Sequence, residues 1–238
     1  MPEKDYYTIE NFIKSEKDTE ASTRFDIEIR SYFTKQGCWE VTWAVVTEKT
    51  TGKEVASVKR NYSQFWYSFE EHSNGSEYLL CGADYQGQTV VNLDMGKRYD
   101  NLPPEAKDGF GFCWASATAY GNKLAVEGCY WACPYELIIY DFSEPEQLPY
   151  KELARLDIEN IHNLRWIDNN TIEYEISREF VALKDHPYYG KEVDTLPDEV
   201  EDALYELETS NKYNYNEIYE SKEITKTVKL NIKELPHE

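Results

Sequence analysis

The chain has 238 residues, 45 acidic and 25 basic, for a formal charge of −20; it is 41% hydrophobic and 15% aromatic. That length and apolar share can bury a sizeable core, so neither disorder nor a bare scaffold is required and the chain can form one large domain or two small ones. The charge serves solubility and repels phosphates and anionic lipid, so direct nucleic acid binding and membrane binding are not expected, whereas a basic protein partner is compatible with it.

In chain order, the start Met1-Pro2-Glu3-Lys4-Asp5-Tyr6 lacks the regions of a secretory signal, and no stretch approaches the roughly 18 apolar residues of a membrane helix, so a cytoplasmic location is expected. Thr8 to Glu16 reads as a short amphipathic helical cap. From Phe25 onward strands dominate, in keeping with 20 Tyr and 6 Trp, side chains that pack well on pleated surfaces. Phe25-Asp26-Ile27-Glu28-Ile29 alternates with period two, as does Thr225 to Leu230 near the other end, and pairing of these two strands would close the sheet.

Between them, two kinds of turn recur in phase. Asn74-Gly75, Gly121-Asn122 and Asn169-Asn170 each lead into a strand, roughly 46 to 48 residues apart, a propeller-blade spacing. Thr51-Gly52, Asp94-Met95-Gly96 and Ser143-Glu144-Pro145 each follow a strand and open the next, and Tyr189-Gly190 falls near the fourth position. Glycine supplies the positive φ that tight hairpin turns need. Each unit thus reads as four antiparallel strands, with units at about 25–62, 63–108, 109–156 and 157–235 in a single domain spanning 1–238. The expected class is all-β, a partial or small propeller-like array of about four four-stranded units, with a two-sheet sandwich as the alternative.

The segment 183–220 breaks the pattern with eleven acidic residues, three lysines and six tyrosines. It reads as an acidic, Tyr-rich insertion into the fourth unit, with a helix from Leu196 to Leu207 that places Val200, Ala203, Leu204 and Leu207 on one face, followed by a loop over Ser210 to Asn216. Insertions of this kind often carry binding surfaces.

The densest chemistry lies in Gly109-Phe110-Gly111-Phe112-Cys113-Trp114-Ala115-Ser116 and Glu127-Gly128-Cys129-Tyr130-Trp131-Ala132-Cys133-Pro134-Tyr135-Glu136. Five cysteines cannot form a complete disulfide set within one chain, and reduced, buried thiols are expected. A structural zinc site needs four ligands; one C-x3-C pair, Cys113, and His72 or His162 do not make a convincing set, so no metal and no cofactor is expected. No nucleophile elbow, P-loop, HExxH or GxGxxG occurs, and Asp84 with Glu127 is the pair that acid–base work would use.

Small residues alternating with Phe, Trp and Cys fill a tight β core, yet Trp114, Tyr130, Trp131 and Tyr135 exceed what one strand pair usually hides. Asp84-Tyr85-Gln86-Gly87-Gln88 is the counterpart of 131–135 one period earlier, so both connections should emerge at one end and form one surface. The candidate binding residues are Asp84, Tyr85, Gln86, Trp114, Glu127, Tyr130, Trp131 and Tyr135.

The runs Leu80 to Thr89, Gly109 to Ala115 and Glu127 to Glu136 resemble those of a group of uncharacterised bacterial and phage-associated proteins. The resemblance covers about the middle half of the chain, leaves out the first sixty residues and the acidic segment, and implies no activity. The functional expectation is a non-enzymatic protein-binding module acting through the two loops and the insertion. The alternatives are an acidic inhibitor or nucleic-acid mimic aimed at a basic host or defence protein, and a small enzyme or zinc protein centred on the Cys/Trp cluster.

Overall fold

Turn chemistry and alternation set most strand boundaries. The computed structural model describes residues 5–35, 39–130, 135–156, 158, 161–210, 212–230 and 232, and these form four antiparallel sheets. The first runs β1 (Phe12–Asp18), β2 (Phe25–Phe33), β3 (Glu40–Glu48), β4 (Glu54–Arg60); the second β5 (Ser68–Glu71), β6 (Glu77–Cys81), β7 (Gln88–Asn92), β8 (Lys97–Asn101). The third holds β9 (Phe112–Tyr120), β10 (Lys123–Tyr130), β11 (Tyr135–Asp141) and β12 (Glu152–Leu156), and the fourth β13 (Ile161–Asp168), β14 (Thr171–Val181) and β15 (Tyr219–Lys229). In each sheet neighbours in sequence are neighbours in space, the meander that short turns enforce. The phased turns lie where this order needs them: Gly75 and Gly121 join first strands to second, Gly52 and Gly96 join third to fourth, and all four have positive φ.

The chain divides into two compact units, one holding the described residues up to Ile158 with Asp168–Asn170, Leu230 and Ile232, the other the described residues of 159–167 and of 171–229. In the first unit, consecutive sheets pack face to face. Every residue of β6 and β7 is buried. Tyr78, Leu80 and Val90 join Leu124, Val126 and Ile138 of the third sheet in one cluster, while Leu79, Cys81 and Val91 join Phe25, Ile27 and Val46 of the first sheet in another. A strand with both faces covered needs apolar residues at every position rather than at alternate ones, which is why Tyr78-Leu79-Leu80-Cys81 is a continuous apolar run. The outer strands β1, β8 and β12 are largely exposed and rich in charge, which keeps their unpaired edges from recruiting another chain. With one sheet covered on both faces, the two-sheet sandwich alternative does not describe this arrangement.

Four expectations are corrected. Thr8 to Glu16 is a 3-10 turn at Ile9–Asn11 leading into β1, because β1 pairs with β2 from Phe12↔Tyr32 to Asp18↔Ile27 and this ladder outweighs a weak amphipathic pattern. The terminal alternations do not pair with each other: β2 lies between β1 and β3, and β15 pairs with β14 over Thr171↔Lys229 to Val181↔Tyr219. The fourth sheet has three strands rather than four, since the segment holding Gly190 makes only an isolated bridge, Phe180↔Glu192. The expected loop from Ser210 to Asn216 runs into a short helix at Tyr215–Ile218 with a capping box between Asn214 and Glu217.

The second unit has its own core. The helix expected at 196–207 runs Asp198–Thr209, and Leu204 is fully buried with Val200 and Leu207 against Val181, Leu196, Ile218 and Tyr219, while Ala203 is exposed. The 182–218 excursion is fastened at its base where the Ala182 N–H donates to the Ile218 carbonyl at 2.7 Å.

Candidate functional site

In an antiparallel meander the second-to-third connections and the links between sheets lie at one end. At that end of the first unit a partly open pocket of about 280 Å³ has formed. Tyr85 reaches it from the β6–β7 connection and Tyr135 from the start of β11; Trp114, Cys113 and Ala115 belong to β9 and Cys129 to β10. Tyr85 and Tyr135, from the two connections read from sequence as one surface, and Trp114, a separate candidate, are thus brought together. Arg60, Tyr62, Gln64 and Trp66, from the end of β4 and the link to β5, complete the lining.

Arg60 organises the pocket. Val58 and Arg60 both occupy inward positions of β4, and Arg60 is 3% exposed. Its Nε donates to the Gln64 carbonyl at 2.8 Å, and Nη1 donates to the carbonyls of Gly82 at 2.5 Å and Asp84 at 3.1 Å. Among the described residues Nη2 has no acceptor and no carboxylate lies within 4.0 Å of the guanidinium. Burial pulls its pKa down; the thiols of Cys81 and Cys113 and the phenols of Tyr85 and Tyr62 surround it. Gly82 makes room for it: a Cβ there would sit 2.6 Å from the Gly87 carbonyl oxygen and 2.7 Å from Arg60 Nη1.

The lip is aromatic. The rings of Tyr62 and Tyr85 lie 4.4 Å apart between centroids, and the Arg60 guanidinium is 5.8 Å from the Tyr62 ring. Behind the lip Trp66 and Trp114 are 5.9 Å apart, and the Trp66 indole N–H is buried with no acceptor among the described residues. On the floor, Cys113 and Cys129 are direct cross-strand partners of β9 and β10, and both are buried. Burial and the neighbouring Cys113 push Tyr85 up to about 12, and burial also raises Tyr135 and the Cys113 thiol.

The remaining candidate residues do other work. Gln86 is buried as a strut, its Nε2 donating to the Gly109 carbonyl at 2.7 Å and its Oε1 accepting from the Gly111 N–H at 3.2 Å. Asp84 is exposed and holds the turn, accepting from Asn61 Nδ2 at 2.8 Å while its carbonyl accepts from Arg60 and from the Gly87 N–H. Glu127 accepts from the Ser116 hydroxyl at 3.2 Å. Neither carboxylate is among the described residues that line the pocket. Tyr130 packs on Phe112 at 5.1 Å and accepts from Arg155 at 2.9 Å; Phe112 and Trp114 belong to the core cluster shared with the second sheet. Trp131 and Cys133 lie outside the described residues. Among the described residues no cluster of three or more metal-ligating side chains occurs, and no helix is long and apolar enough to cross a membrane.

No protein-family model matches the chain. Uncharacterized protein R762 of Acanthamoeba polyphaga mimivirus is 32% identical over 213 residues, covering 85% of this chain and 84% of the viral protein. The chain belongs to the family of that viral protein. With 85% of the chain aligned, the similarity reaches well beyond the middle half that the motifs marked, and the first sixty residues and the acidic segment cannot both lie outside it. The β4 end that supplies Arg60 was missed from sequence because no motif marks it. One signal was present: a charged residue at a position where period-two alternation after Val58 calls for an apolar one.

Proposed function

We propose that this member of the family is a non-enzymatic protein-binding module, with the pocket end of its first unit as the contact site. The observation that carries the reading is the convergence of Tyr85, Trp114 and Tyr135, from separate stretches of sequence, on one partly open, aromatic-lipped pocket. Aromatic side chains in a concave site supply large contact area at low entropic cost. The acidic segment 183–220 is a second contact surface in this reading; Tyr189, Tyr205, Tyr213 and Tyr215 in it are all exposed. The sheets of the first unit are read as blades of an open propeller-like array. Their meander order, their face-to-face packing and the Ala119 N–H of β9 donating to Glu70 of β5 at 2.9 Å all support that.

The test is affinity capture from a lysate of Acanthamoeba, the genus in the viral relative's name. It uses wild type, Ala115→Trp, which fills the pocket mouth from an exposed position, and a chain lacking 183–220. A partner held by wild type and lost with Ala115→Trp supports the pocket as the contact site. Capture that is indifferent to both changes, or no partner at low and high salt alike, sinks the reading.

A further inference from the structure

We propose that the pocket binds a small monoanion, a carboxylate carried on a flat apolar body, with the carboxylate on Arg60 and the body against the Tyr62, Tyr85 and Tyr135 rings. The proposal rests on the pocket being the binding site and names the ligand class it would take.

A guanidinium stays charged in a protein, and a buried charge is costly unless it is paired. Arg60 is 3% exposed and meets three carbonyl oxygens, which solvate the cation in part but do not neutralise it. The thiols of Cys81 and Cys113 and the phenols of Tyr85 and Tyr62 act on it, and among the described residues Nη2 is left without an acceptor. None of the described residues lining the pocket is acidic, in a chain with 45 acidic residues. The Tyr85 and Tyr135 phenols and the Cys113 thiol, raised by burial, stay protonated near neutral pH; they offer donors to an anion and no counter-charge to Arg60. Among its described lining residues the pocket therefore holds one uncompensated positive charge, ringed by donors.

One charge selects a monoanion over a dianionic phosphate, which would bring a second negative charge with no partner into a poorly solvated site. A carboxylate matches a guanidinium edge in shape, and the charge-assisted bond is stronger than a neutral one. The chain's overall negative charge does not cancel this local preference, because exposed carboxylates are screened over about 8 Å at physiological salt. The tyrosine rings and Trp66 suit a flat apolar body.

The test uses full-length, nitrogen-15-labelled protein at about 150 mM salt. The probes are sodium benzoate and its neutral isostere benzamide, followed through the tryptophan indole N–H resonances. Benzoate is expected to shift Trp66 with a dissociation constant of about 1 mM, in line with a probe of so few atoms. Benzamide is expected to bind at least about tenfold more weakly, and Trp43 and Trp166, which do not line the pocket, should stay unmoved. Ala115→Trp should abolish the benzoate shift while leaving the rest of the spectrum folded.

Arg60→Lys keeps the charge, loses the fork and should weaken benzoate about tenfold. If that variant does not fold, the benzamide and Ala115→Trp arms decide alone. N-acetylphenylalanine, a mimic of a peptide C-terminus, separates sources: tighter binding than benzoate points to the end of a partner chain, weaker binding to a free aromatic acid, and either supports a carboxylate site.

Equal shifts with benzoate and benzamide overturn the proposal, as does no shift with benzoate up to about 20 mM, or a shift that survives Ala115→Trp. Loss of protein capture in Ala115→Trp without any benzoate binding leaves the contact-site reading standing and removes the anion site alone.

Discussion

Glu70 of β5 shows how one buried side chain couples this fold to pH. Its carboxylate accepts from the Ser68 hydroxyl at 2.6 Å and from the Ala119 N–H at 2.9 Å, yet burial dominates and raises its pKa to about 7 from 4.5. Between those values the folded chain holds a proton that the unfolded chain has released. The stability contributed by protonated Glu70 is therefore complete below about pH 4.5 and is lost as pH rises through 7. Glu70→Gln removes that slope: between pH 5 and pH 8, wild type should lose about 2 kcal/mol relative to the variant in urea unfolding. Parallel pH profiles for the two proteins would show that Glu70 is not the coupled group. At the same scale, Tyr85 and Tyr135 were legible as neighbours at one end because aromatics recur at equivalent connections, and both line the pocket. Arg60 was not, since nothing in its neighbours says that the carbonyls of Gly82 and Asp84 will fold back over it.

Among the elements, β6 and β7 bear the greatest share of packing, each with one face in the cluster with the first sheet and one in the cluster with the third. Leu79 and Leu80 are adjacent in sequence and point to opposite cores, and both are fully buried. Leu79→Ala and Leu80→Ala should each cost about 2–5 kcal/mol by denaturant unfolding, whereas Met95→Ala, on the exposed β7–β8 turn, should stay within about 0.5 kcal/mol. A near-neutral Leu79→Ala would mean that the first and second sheets are not packed as described. The turns of these sheets were readable from Gly and Asn at a fixed interval. The first strand was not: the exposed, charged β1 carries almost no alternation of its own and becomes a strand by pairing with β2.

At the scale of the whole molecule, a formal charge of −20 is spread over a chain whose ion pairs are mostly exposed, such as Arg24 with Asp94 at 2.5 Å and Arg178 with Glu192 at 3.2 Å. Exposed pairs contribute little individually, so general repulsion among carboxylates should be the larger electrostatic effect. The melting temperature is accordingly expected to rise by a few degrees between about 10 and 300 mM sodium chloride as repulsion is screened. A fall over that range would show that local ion pairs outweigh the repulsion.

The sequence by itself determined the mainly antiparallel β character, the four-sheet count, the phase of the turns and the helix of the acidic segment. Those depend on backbone preference and on periodicity, which are local properties of a chain. Only the tertiary structure decided that the fourth sheet has three strands, that the termini pair within their own sheets, and that Gln86 and Tyr130 serve as struts and packing. It alone also placed Arg60 against the Tyr62 ring and the carbonyls of Gly82 and Asp84, with no carboxylate within 4.0 Å among the described residues. Each of these turns on which distant groups meet, and strand pairing and charge compensation are contests between alternatives far apart in sequence that no local pattern records.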